Sequence, residues 1–257
     1  MIICIIGNDN RQQELARLFN KHYDTIYLSG KEDSKTAQNV IKICDKIVLP
    51  LPVTRDNETI NTTSLLIDDF MNACPKNATV FAGMTKNTPF NNDVIDYNKD
   101  EDFTLKNALY TAEGAMAIAI NNTMFSLSDA KILILGNGRI GKYLSKMLSS
   151  LCSDITISAR KQKDFCYILQ NGFKTENTEK IKDLSSYNII FNTINEKVIT
   201  DEAICTIKKD SLIIDLASKK SALFRADARY IDAKALPAEF SPLSSAKALY
   251  DSVTRYL

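Results

Sequence analysis

Short runs of aliphatic and β-branched residues alternate with amphipathic segments along most of the chain. In the first hundred residues these patterns predict four strands, at 2–6, 25–28, 46–49 and 79–82, and two helices, at 11–20 and 61–71. Such alternation is typical of parallel strands joined by crossover helices. The first part of the chain therefore predicts a doubly wound α/β unit.

The alternation stops after residue 82 and resumes near residue 131. A polar stretch at 86–102, rich in Asn and Asp, is typical of a domain edge. It precedes a helical region at 104–125 whose middle is apolar almost all round, so we predict a buried connector helix. Four further runs predict a second set of strands, at 131–135, 154–158, 189–192 and 212–215.

The last segment predicts a closing helix. Ser241 stands at the N-cap position and Pro242 at the first helical position, and an apolar stripe follows over 244–256. We predict an α/β fold of two Rossmann-like, doubly wound parallel-sheet domains joined by a long connector helix, with a C-terminal helix packing back. The predicted bounds are 1–103 for the N-terminal substrate or catalytic domain, 104–127 for the connector, 128–236 for the dinucleotide-binding domain and 237–257 for the C-terminal helix that returns toward the N-terminal domain.

Charge and composition narrow the classes of partner. The 257 residues include 32 Lys and Arg against 31 Asp and Glu, so no global field draws the chain to nucleic acid or to an anionic membrane. No apolar run approaches the length of about 18 residues that a membrane span needs, and no charged leader precedes the first strand. The six cysteines lack zinc spacing, which favours reduced, buried thiols and no metal site. We expect a cytoplasmic protein whose partner is a small molecule or another protein.

A glycine motif connects the predicted strand at 131–135 to a helical pattern at 142–151. Gly136 permits a tight turn, Gly138 lets the backbone approach a pyrophosphate, and Gly141 lets the helix pack closely on its strand. Free N–H groups at the helix N-terminus favour an anion. We predict that this loop, together with Arg139 and Ile140, binds a dinucleotide; the alternative is a glycine-rich turn without a cofactor.

The end of the next predicted strand distinguishes the two nicotinamide dinucleotides. An acidic residue there would bind the ribose hydroxyls of NAD, whereas this sequence has Ser158, Ala159, Arg160 and Lys161. A hydroxyl, a guanidinium and an ammonium group can bind a 2′-phosphate, and no carboxylate is at hand to repel it. NADP is therefore favoured over NAD. The alternative is that Arg160 and Lys161 are only a solvated cap on the following helix.

Polar side chains also follow two later strands. Asn192 and Thr193 end one run, and Asp215 and Ser218 follow another. Because ligands in open α/β sheets lie outside the carboxyl ends of the strands, we predict that these four residues hold the nicotinamide ribose or amide. Alternatively, Asn192 and Asp215 only satisfy the backbone of their turns, as Asn and Asp commonly do.

The first half and the connector carry further candidates. Arg11 lies in a polar loop after the first strand and could face an anion there. Glu113 is a carboxylate set in an apolar helical run, and a buried carboxylate must be paired or perturbed. A catalytic role and a capping or interdomain role are both open for Glu113.

Taken in order, several of these segments resemble the A-subunit family of dipicolinate synthase, the dehydrogenase-like component of an enzyme of spore-forming bacteria. The resemblance covers nearly the whole chain and rests on the segments at 6–12, 111–115, 135–141, 158–160, 191–194 and 214–218. It implies NADP-linked oxidation of dihydrodipicolinate to dipicolinate, a flavoprotein-like partner as the second component of dipicolinate synthase, and a role in sporulation.

Two segments depart from the family pattern. Lys219, Lys220 and Ser221 stand where the family usually has a Pro-Gly-Gly turn, and Ala238 and Leu243 replace a glycine and a lysine of a later motif. Both segments are expected near the nicotinamide end of the cofactor. Two alternatives therefore stay open: an NADP-dependent dehydrogenase of another small acid, and a non-catalytic, NADP-binding regulatory subunit.

Under the main hypothesis the substrate is a small cyclic dicarboxylate bound between the domains, and the protein is a homo-oligomer. Arg11, Thr111 and Ser244 are the candidates for holding carboxylates, and Glu113 is the candidate proton acceptor. Aromatisation to a pyridine drives the oxidation, so the reaction does not require a strong general base.

Overall fold

Neighbouring strands pair in parallel throughout both sheets, as the alternation of strands and helices requires. The computed structural model describes residues 1–90, 94–218 and 229–257. Two units divide the chain: unit 1 comprises Met1–Asn107 and Pro237–Leu257, and unit 2 comprises Ala108–Leu236. Unit 2 is thus inserted between two segments of unit 1.

Unit 1 has a five-stranded sheet in the order β2-β1-β3-β4-β5. Its strands and helices up to the end of the sheet are β1 (Ile2–Ile6), α1 (Asn10–Phe19), β2 (Asp24–Leu28), α2 (Ser34–Ile41), β3 (Lys46–Val48), α3 (Ile67–Ala73), β4 (Thr79–Ala82) and β5 (Val94–Asp96). This strand order is the flavodoxin-like form of the doubly wound fold.

The helix α4 (Glu101–Asn121) runs from unit 1 into unit 2, which has a six-stranded sheet in the order β11-β10-β9-β6-β7-β8. The remaining bounds are β6 (Ile132–Leu135), α5 (Arg139–Leu148), β7 (Ile155–Ala159), α6 (Gln162–Gln170), β8 (Lys174–Asn177), β9 (Ile189–Asn192), α7 (Asp201–Cys205), β10 (Leu212–Asp215), β11 (Arg229–Asp232), α8 (Leu236–Phe240) and α9 (Pro242–Thr254). Read from its other edge, this sheet has the 3-2-1-4-5-6 order of the dinucleotide-binding Rossmann fold. The prediction of two doubly wound parallel-sheet domains is confirmed.

Apolar side chains cover both faces of the unit 1 sheet. On one face Ile6 packs in a buried cluster with Ile41 of α2 and Phe70 of α3. On the other face α9 packs on α1, where the rings of Phe19 and Tyr250 lie 4.7 Å apart. The C-terminal helix therefore completes the core of unit 1.

The unit 2 sheet is buried on both faces because its central strands are apolar at nearly every position. Ile132 and Ile134 of β6 pack in one cluster with residues of α4, α5 and α6. Leu133 and Leu135 of the same strand face the opposite way, toward a second cluster that includes Ala203 of α7. Strand β6 therefore lies at the centre of the unit, directly before the glycine motif.

Two predicted helices have different bounds in the structure. The helix predicted at 61–71 begins only at Ile67, because the preceding loop is held in turns: Asp56 accepts a hydrogen bond from the backbone N–H of Thr59, and Thr62 has a φ of 65°. The connector ends at Asn121 instead of continuing toward residue 127, because the side chain of Asn122 bonds the carbonyl of Ile118 in the last turn.

The hydrophobic pattern did not predict three of the strands, and all three are edge strands. They are β5, β8 and β11, of which β5 lies inside the stretch that was predicted to be a polar domain edge. Each has only three or four residues and carries at least one charged residue, so the hydrophobic pattern is too short to predict a strand. The boundary between the units falls instead inside α4, after Asn107.

The interpretation of all six cysteines as buried thiols is wrong for two of them. Cys166 and Cys205 are exposed, because α6 and α7 turn these positions away from the sheet, whereas Cys4, Cys44 and Cys152 are buried. None of the described helices combines the length and apolarity that crossing a bilayer requires.

The start of α4 is tied to the end of α9 within unit 1. Arg255 forms ion pairs with Asp100, at 2.9 Å, and with Asp102, at 3.2 Å. Burial opposes the ionisation of Asp100, but hydrogen bonds from the N–H groups of Phe103 and Asp102, together with the charge of Arg255, hold its pKa below the ordinary value. The carboxylate of Asp100 therefore stabilises the folded form.

Replacing Asp100 by Asn should lower the free energy of unfolding by up to about 1 kcal/mol at pH 7, because the ion pair with Arg255 and the attraction of the carboxylate to the helix N-terminus are lost together. The folded-state pKa lies below the unfolded one, so this stabilisation is present above about pH 4 and fades as the pH falls through the folded-state pKa. Urea unfolding of wild type, Asp100→Asn and the more exposed control Asp102→Asn across this range measures it. A difference that stays constant on acidification would contradict the assignment.

Candidate functional site

The turn between β6 and α5 requires glycine at its first position. Gly136 has a φ of +100°, and a Cβ there would lie 2.6 Å from Oγ1 of Thr193. The hydroxyl of Thr193 in turn donates to the carbonyl of Leu135 at 2.8 Å. The turn after β9 thus packs directly on the glycine loop.

Gly141 and Gly138 play different parts in the same loop. A Cβ on Gly141 would lie 2.2 Å from the carbonyl oxygen of Gly136, so α5 approaches the loop as closely as glycine allows. A Cβ on Gly138 would meet no atom within 4 Å, because this position faces open space. The backbone at Gly138 is therefore accessible to a ligand.

The N-terminus of α5 is suited to an anion. Gly138 is its N-cap and offers no side-chain cap, and the first turn has no acidic residue. The first N–H groups of a helix have no partner within the helix and carry a partial positive charge. Arg139 begins the helix at an exposed position, whereas Ile140 packs against the core cluster. A pyrophosphate fits this end of the helix in charge and in space.

A cavity of about 240 Å³ opens beside the loop, at the carboxyl ends of β6, β7 and β8. It is lined by Gly136, Asn137, Gly138, Ala159, Arg160, Lys161, Asp164, Thr178 and Ile194. Pockets that enclose a whole drug-sized ligand measure about 300–1,000 Å³, so this cavity suits one part of a dinucleotide.

Carboxylates accompany the two cations of this cavity, and the prediction that none is at hand is wrong. Asp164, in the first turn of α6, lines the cavity together with Arg160 and Lys161. Glu196 reaches Arg160 from the turn after β9, with 3.2 Å between Nη1 and Oε2. The sequence did not reveal Glu196 as a neighbour of Arg160, because only the folded sheet brings the turn after β9 beside the end of β7.

Ser158 does not reach the cavity. Its side chain is completely buried, and its hydroxyl accepts a hydrogen bond from Thr178 at 2.9 Å. The prediction that this hydroxyl contacts a 2′-phosphate is therefore corrected. The hydroxyl of Ser158 instead lies inside the protein and connects the end of β7 to Thr178. Thr178, which the sequence analysis missed, lines the cavity in its place.

Asn192 and Asp215 form a buried network that is satisfied within the protein. The amide of Asn192 donates to Asp215 at 2.8 Å and to the carbonyl of Ile194 at 3.1 Å. Asp215 also accepts hydrogen bonds from the N–H of Ala217 and from the hydroxyl of Tyr230, whose pKa is raised by burial and by this carboxylate. The structure favours the alternative in which both residues fix their turns.

The other two strand-end candidates differ in exposure. Thr193 holds the glycine loop through the carbonyl of Leu135, as described above. Ser218 is exposed, and its backbone N–H and hydroxyl both donate to Oδ1 of Asn195, at 2.8 and 3.0 Å. The family departure at Lys219, Lys220 and Ser221 lies outside the described residues.

Arg11 lies in a largely buried polar cluster of unit 1. Its side chain is 3% exposed, and Nη2 lies 3.3 Å from both Asp9 and the carbonyl of Leu51. Within the described part of the chain, Nε of Arg11 and both amide atoms of the adjacent, fully buried Gln12 have no hydrogen-bond partner. Sequence reasoning missed Gln12, because a Gln near a helix start is ordinarily solvated.

The remaining candidates lie on helices. Glu113 is exposed, so its interpretation as a buried carboxylate is wrong: the core-facing stripe of α4 consists of Ala112, Ala115 and Ala119, and Glu113 points away from it. Thr111 is buried, and Ser244 is exposed in the first turn of α9. Arg11 and Ser244 belong to unit 1, and Thr111 and Glu113 belong to unit 2.

Known proteins share this architecture. Residues 2–92 match the family model for the N-terminal domain of the dipicolinate synthase A-subunit. The chain is 23% identical over 263 residues to the dipicolinate synthase A-subunit of Bacillus subtilis, an alignment that covers 93% of this chain and 87% of that protein. The solved structure of the dipicolinate synthase A-subunit from Bacillus halodurans matches with a TM-score of 0.81 at 20% identity, over 99% of this chain and 96% of that chain. An L-alanine dehydrogenase matches with a TM-score of 0.65 at 11% identity, over 100% and 88% of the two chains.

These matches define the class first: the chain has the fold of two-domain dehydrogenases, with a doubly wound sheet in each unit. Within that class, residues 2–92 match the model of the N-terminal domain of the dipicolinate synthase A-subunit, and the whole chain is similar to A-subunits of that enzyme. The resemblance predicted from the sequence motifs is confirmed, and it extends over nearly the whole chain.

Two glycine variants separate folding from binding at this loop. Gly141→Ala should destabilise unit 2 by about 3 kcal/mol, because the methyl group overlaps the carbonyl of Gly136. Gly138→Ala should change the free energy of unfolding by less than about 1 kcal/mol. It should nevertheless weaken the binding of a nicotinamide dinucleotide by about ten-fold or more, because the methyl group would occupy space that a pyrophosphate needs at this loop.

Urea unfolding and calorimetric titration with NADP measure the two effects on the same samples. A Gly141→Ala protein as stable as wild type would contradict the packing argument. Unchanged NADP affinity in Gly138→Ala would remove the glycine loop from the binding site.

Proposed function

We propose that the protein is an NADP-dependent oxidoreductase that oxidises dihydrodipicolinate to dipicolinate, together with a flavoprotein-like partner as the second component of dipicolinate synthase. The observation that carries this proposal is the uncapped start of α5, which faces open space beside a cavity lined by Arg160 and Lys161. The proposal also includes a cytoplasmic location, a homo-oligomeric state and a role in spore formation.

The dinucleotide would lie with its pyrophosphate against the first N–H groups of α5. Gly138 leaves room for this approach, and the adenosine ribose would then point toward the end of β7. There the guanidinium of Arg160, which can bind phosphate through two parallel hydrogen bonds, would bind the 2′-phosphate with help from Lys161. These contacts support NADP rather than NAD.

The substrate would be a cyclic dicarboxylate, one of whose carboxylates is bound by Arg11. A buried guanidinium with an unpaired Nε, beside a Gln12 amide that has neither donor nor acceptor satisfied, is costly without a ligand. A carboxylate would satisfy the donors of both side chains. The roles of Thr111 and Ser244 in holding a carboxylate, and of Glu113 as proton acceptor, stay predictions from the sequence.

Bound NADP supplies a hydride acceptor, and the protein supplies position and charge. Loss of hydride and a proton makes the ring aromatic, so a strong base is unnecessary. The buried network of Asn192, Asp215 and Tyr230 would contribute by fixing the turns that border the cofactor.

A second candidate is an NADP-dependent dehydrogenase of another small acid. Leu243, which replaces the lysine expected from the resemblance, is 68% exposed, and an exposed leucine cannot hold a carboxylate. Ala238, in place of a glycine, is buried in α8. Loss of that lysine favours a substrate with one carboxylate fewer.

The cofactor assignment predicts a selective loss in Arg160→Ala. NADP affinity should fall about ten-fold, because a charge-assisted bidentate contact is lost, while NAD affinity should change less than about two-fold. Lys163→Ala is the matched control, since Lys163 is an exposed cation on α6 outside the cavity. Calorimetric titration with both dinucleotides measures this. Equal NADP affinity in wild type and Arg160→Ala would exclude Arg160 from the site.

The substrate assignment predicts that Arg11→Lys lowers kcat/KM for dihydrodipicolinate by about ten- to a hundred-fold, because Lys cannot reproduce the guanidinium contacts. NADP affinity should not change. Arg17→Lys, on the exposed face of the same helix, is the control. Dipicolinate formation from freshly generated substrate, with and without the flavoprotein-like partner, measures activity. Turnover of another small acid alone would favour the second candidate, and no turnover under either condition would indicate a non-catalytic role.

A further inference from the structure

The cavity beside the glycine loop contains balanced charges. Arg160 and Lys161 supply two cations, and Asp164 and Glu196 supply two carboxylates at or beside the same lining. A 2′-phosphate carries a charge of about −1.5 to −2 at neutral pH. It would therefore enter a region whose formal charge is zero rather than positive.

Glu196 is held where it contacts Arg160, because the turn that carries it is anchored on both sides. The side chain of Asn192 bonds both the N–H and the carbonyl of Ile194, and Thr193 bonds the carbonyl of Leu135. Asn195 accepts two hydrogen bonds from Ser218. The backbone leading to Glu196 is thus fixed relative to β6, β9 and β10.

The ion pair between Glu196 and Arg160 is still open to a ligand. The two side chains are 67% and 47% exposed, and their charged atoms lie 3.2 Å apart. Exposed pairs of this kind are weak, so a phosphate can displace the carboxylate. The carboxylate of Asp164, unlike that of Glu196, contacts a neutral side chain: it lies 3.5 Å from the amide nitrogen of Asn137.

We propose that Glu196 is a specificity-determining residue: it competes with the 2′-phosphate of NADP for Arg160 and so narrows the preference for NADP over NAD. The proposal rests on the dinucleotide site of the proposed function and deepens it. NAD, which has a hydroxyl group at this position, leaves the ion pair intact. The affinities for NADP and NAD therefore differ by a smaller factor than Arg160 and Lys161 alone would give.

The test is calorimetric titration of NADP and NAD into wild type, Glu196→Gln, Arg160→Ala and the double variant. Glu196→Gln should bind NADP about two- to five-fold more tightly, the gain expected from releasing Arg160 from one exposed ion pair, and NAD with unchanged affinity. In the Arg160→Ala background the same substitution should give no gain. The gain should shrink as salt is added.

Asp154→Asn is the matched control. Asp154 forms an exposed ion pair with Lys174 at 2.9 Å, before the first residue of β7 and so at the opposite end of that strand from the cavity. A gain equal to that of Glu196→Gln would mean that only net charge is acting, which would overturn the proposal.

Unchanged NADP affinity in Glu196→Gln, with normal binding of both dinucleotides by wild type, would overturn the inference and leave the proposed function standing. A gain that persists in the double variant would also overturn it, because Glu196 would then act without Arg160. Failure of wild type to bind either dinucleotide would overturn the proposed function, and this inference with it.

Discussion

The contact between Gly141 and the carbonyl of Gly136 is the constraint on which the site depends. It seats the first turn of α5 directly on the end of β6, with a separation that leaves no room for a Cβ. Because the helix begins there, its first N–H groups face the open space at Gly138. The turn after β9 packs against the same loop through Thr193, so the shape of the cavity follows from backbone positions more than from flexible side chains.

Most of the fold could be predicted from the sequence because the central strands are apolar and β-branched. Strands such as β6 and β9 are buried on both faces and leave a clear signal in the hydrophobic pattern. The edge strands β5, β8 and β11 were missed because a strand with one neighbour tolerates polar residues. The helix at 61–71 was predicted too early because hydrogen bonds to the side chain of Asp56 favour turns over a helix.

The candidate site, too, could be predicted from the sequence only in part. The glycine spacing identified the loop, since Gly136 and Gly141 meet steric requirements that act over a few residues. The environment of Arg160 depends on long-range strand order, which brings Glu196 beside it from a turn 36 residues further along the chain. Glu113 was misjudged because an apolar composition does not reveal which face of a helix is buried; the alanine stripe of α4 leaves that position exposed.

The insertion of unit 2 within unit 1 has a consequence for how the chain matures during synthesis. All of unit 2 precedes residue 237, so every segment of unit 2 has been synthesised before α9 is made. Unit 1 is completed later, because α1 packs on α9, where the ring of Tyr250 lies against that of Phe19. The part of the protein translated first is therefore the last to be completed, because Phe19 lacks one of its ring partners until Tyr250 has been made.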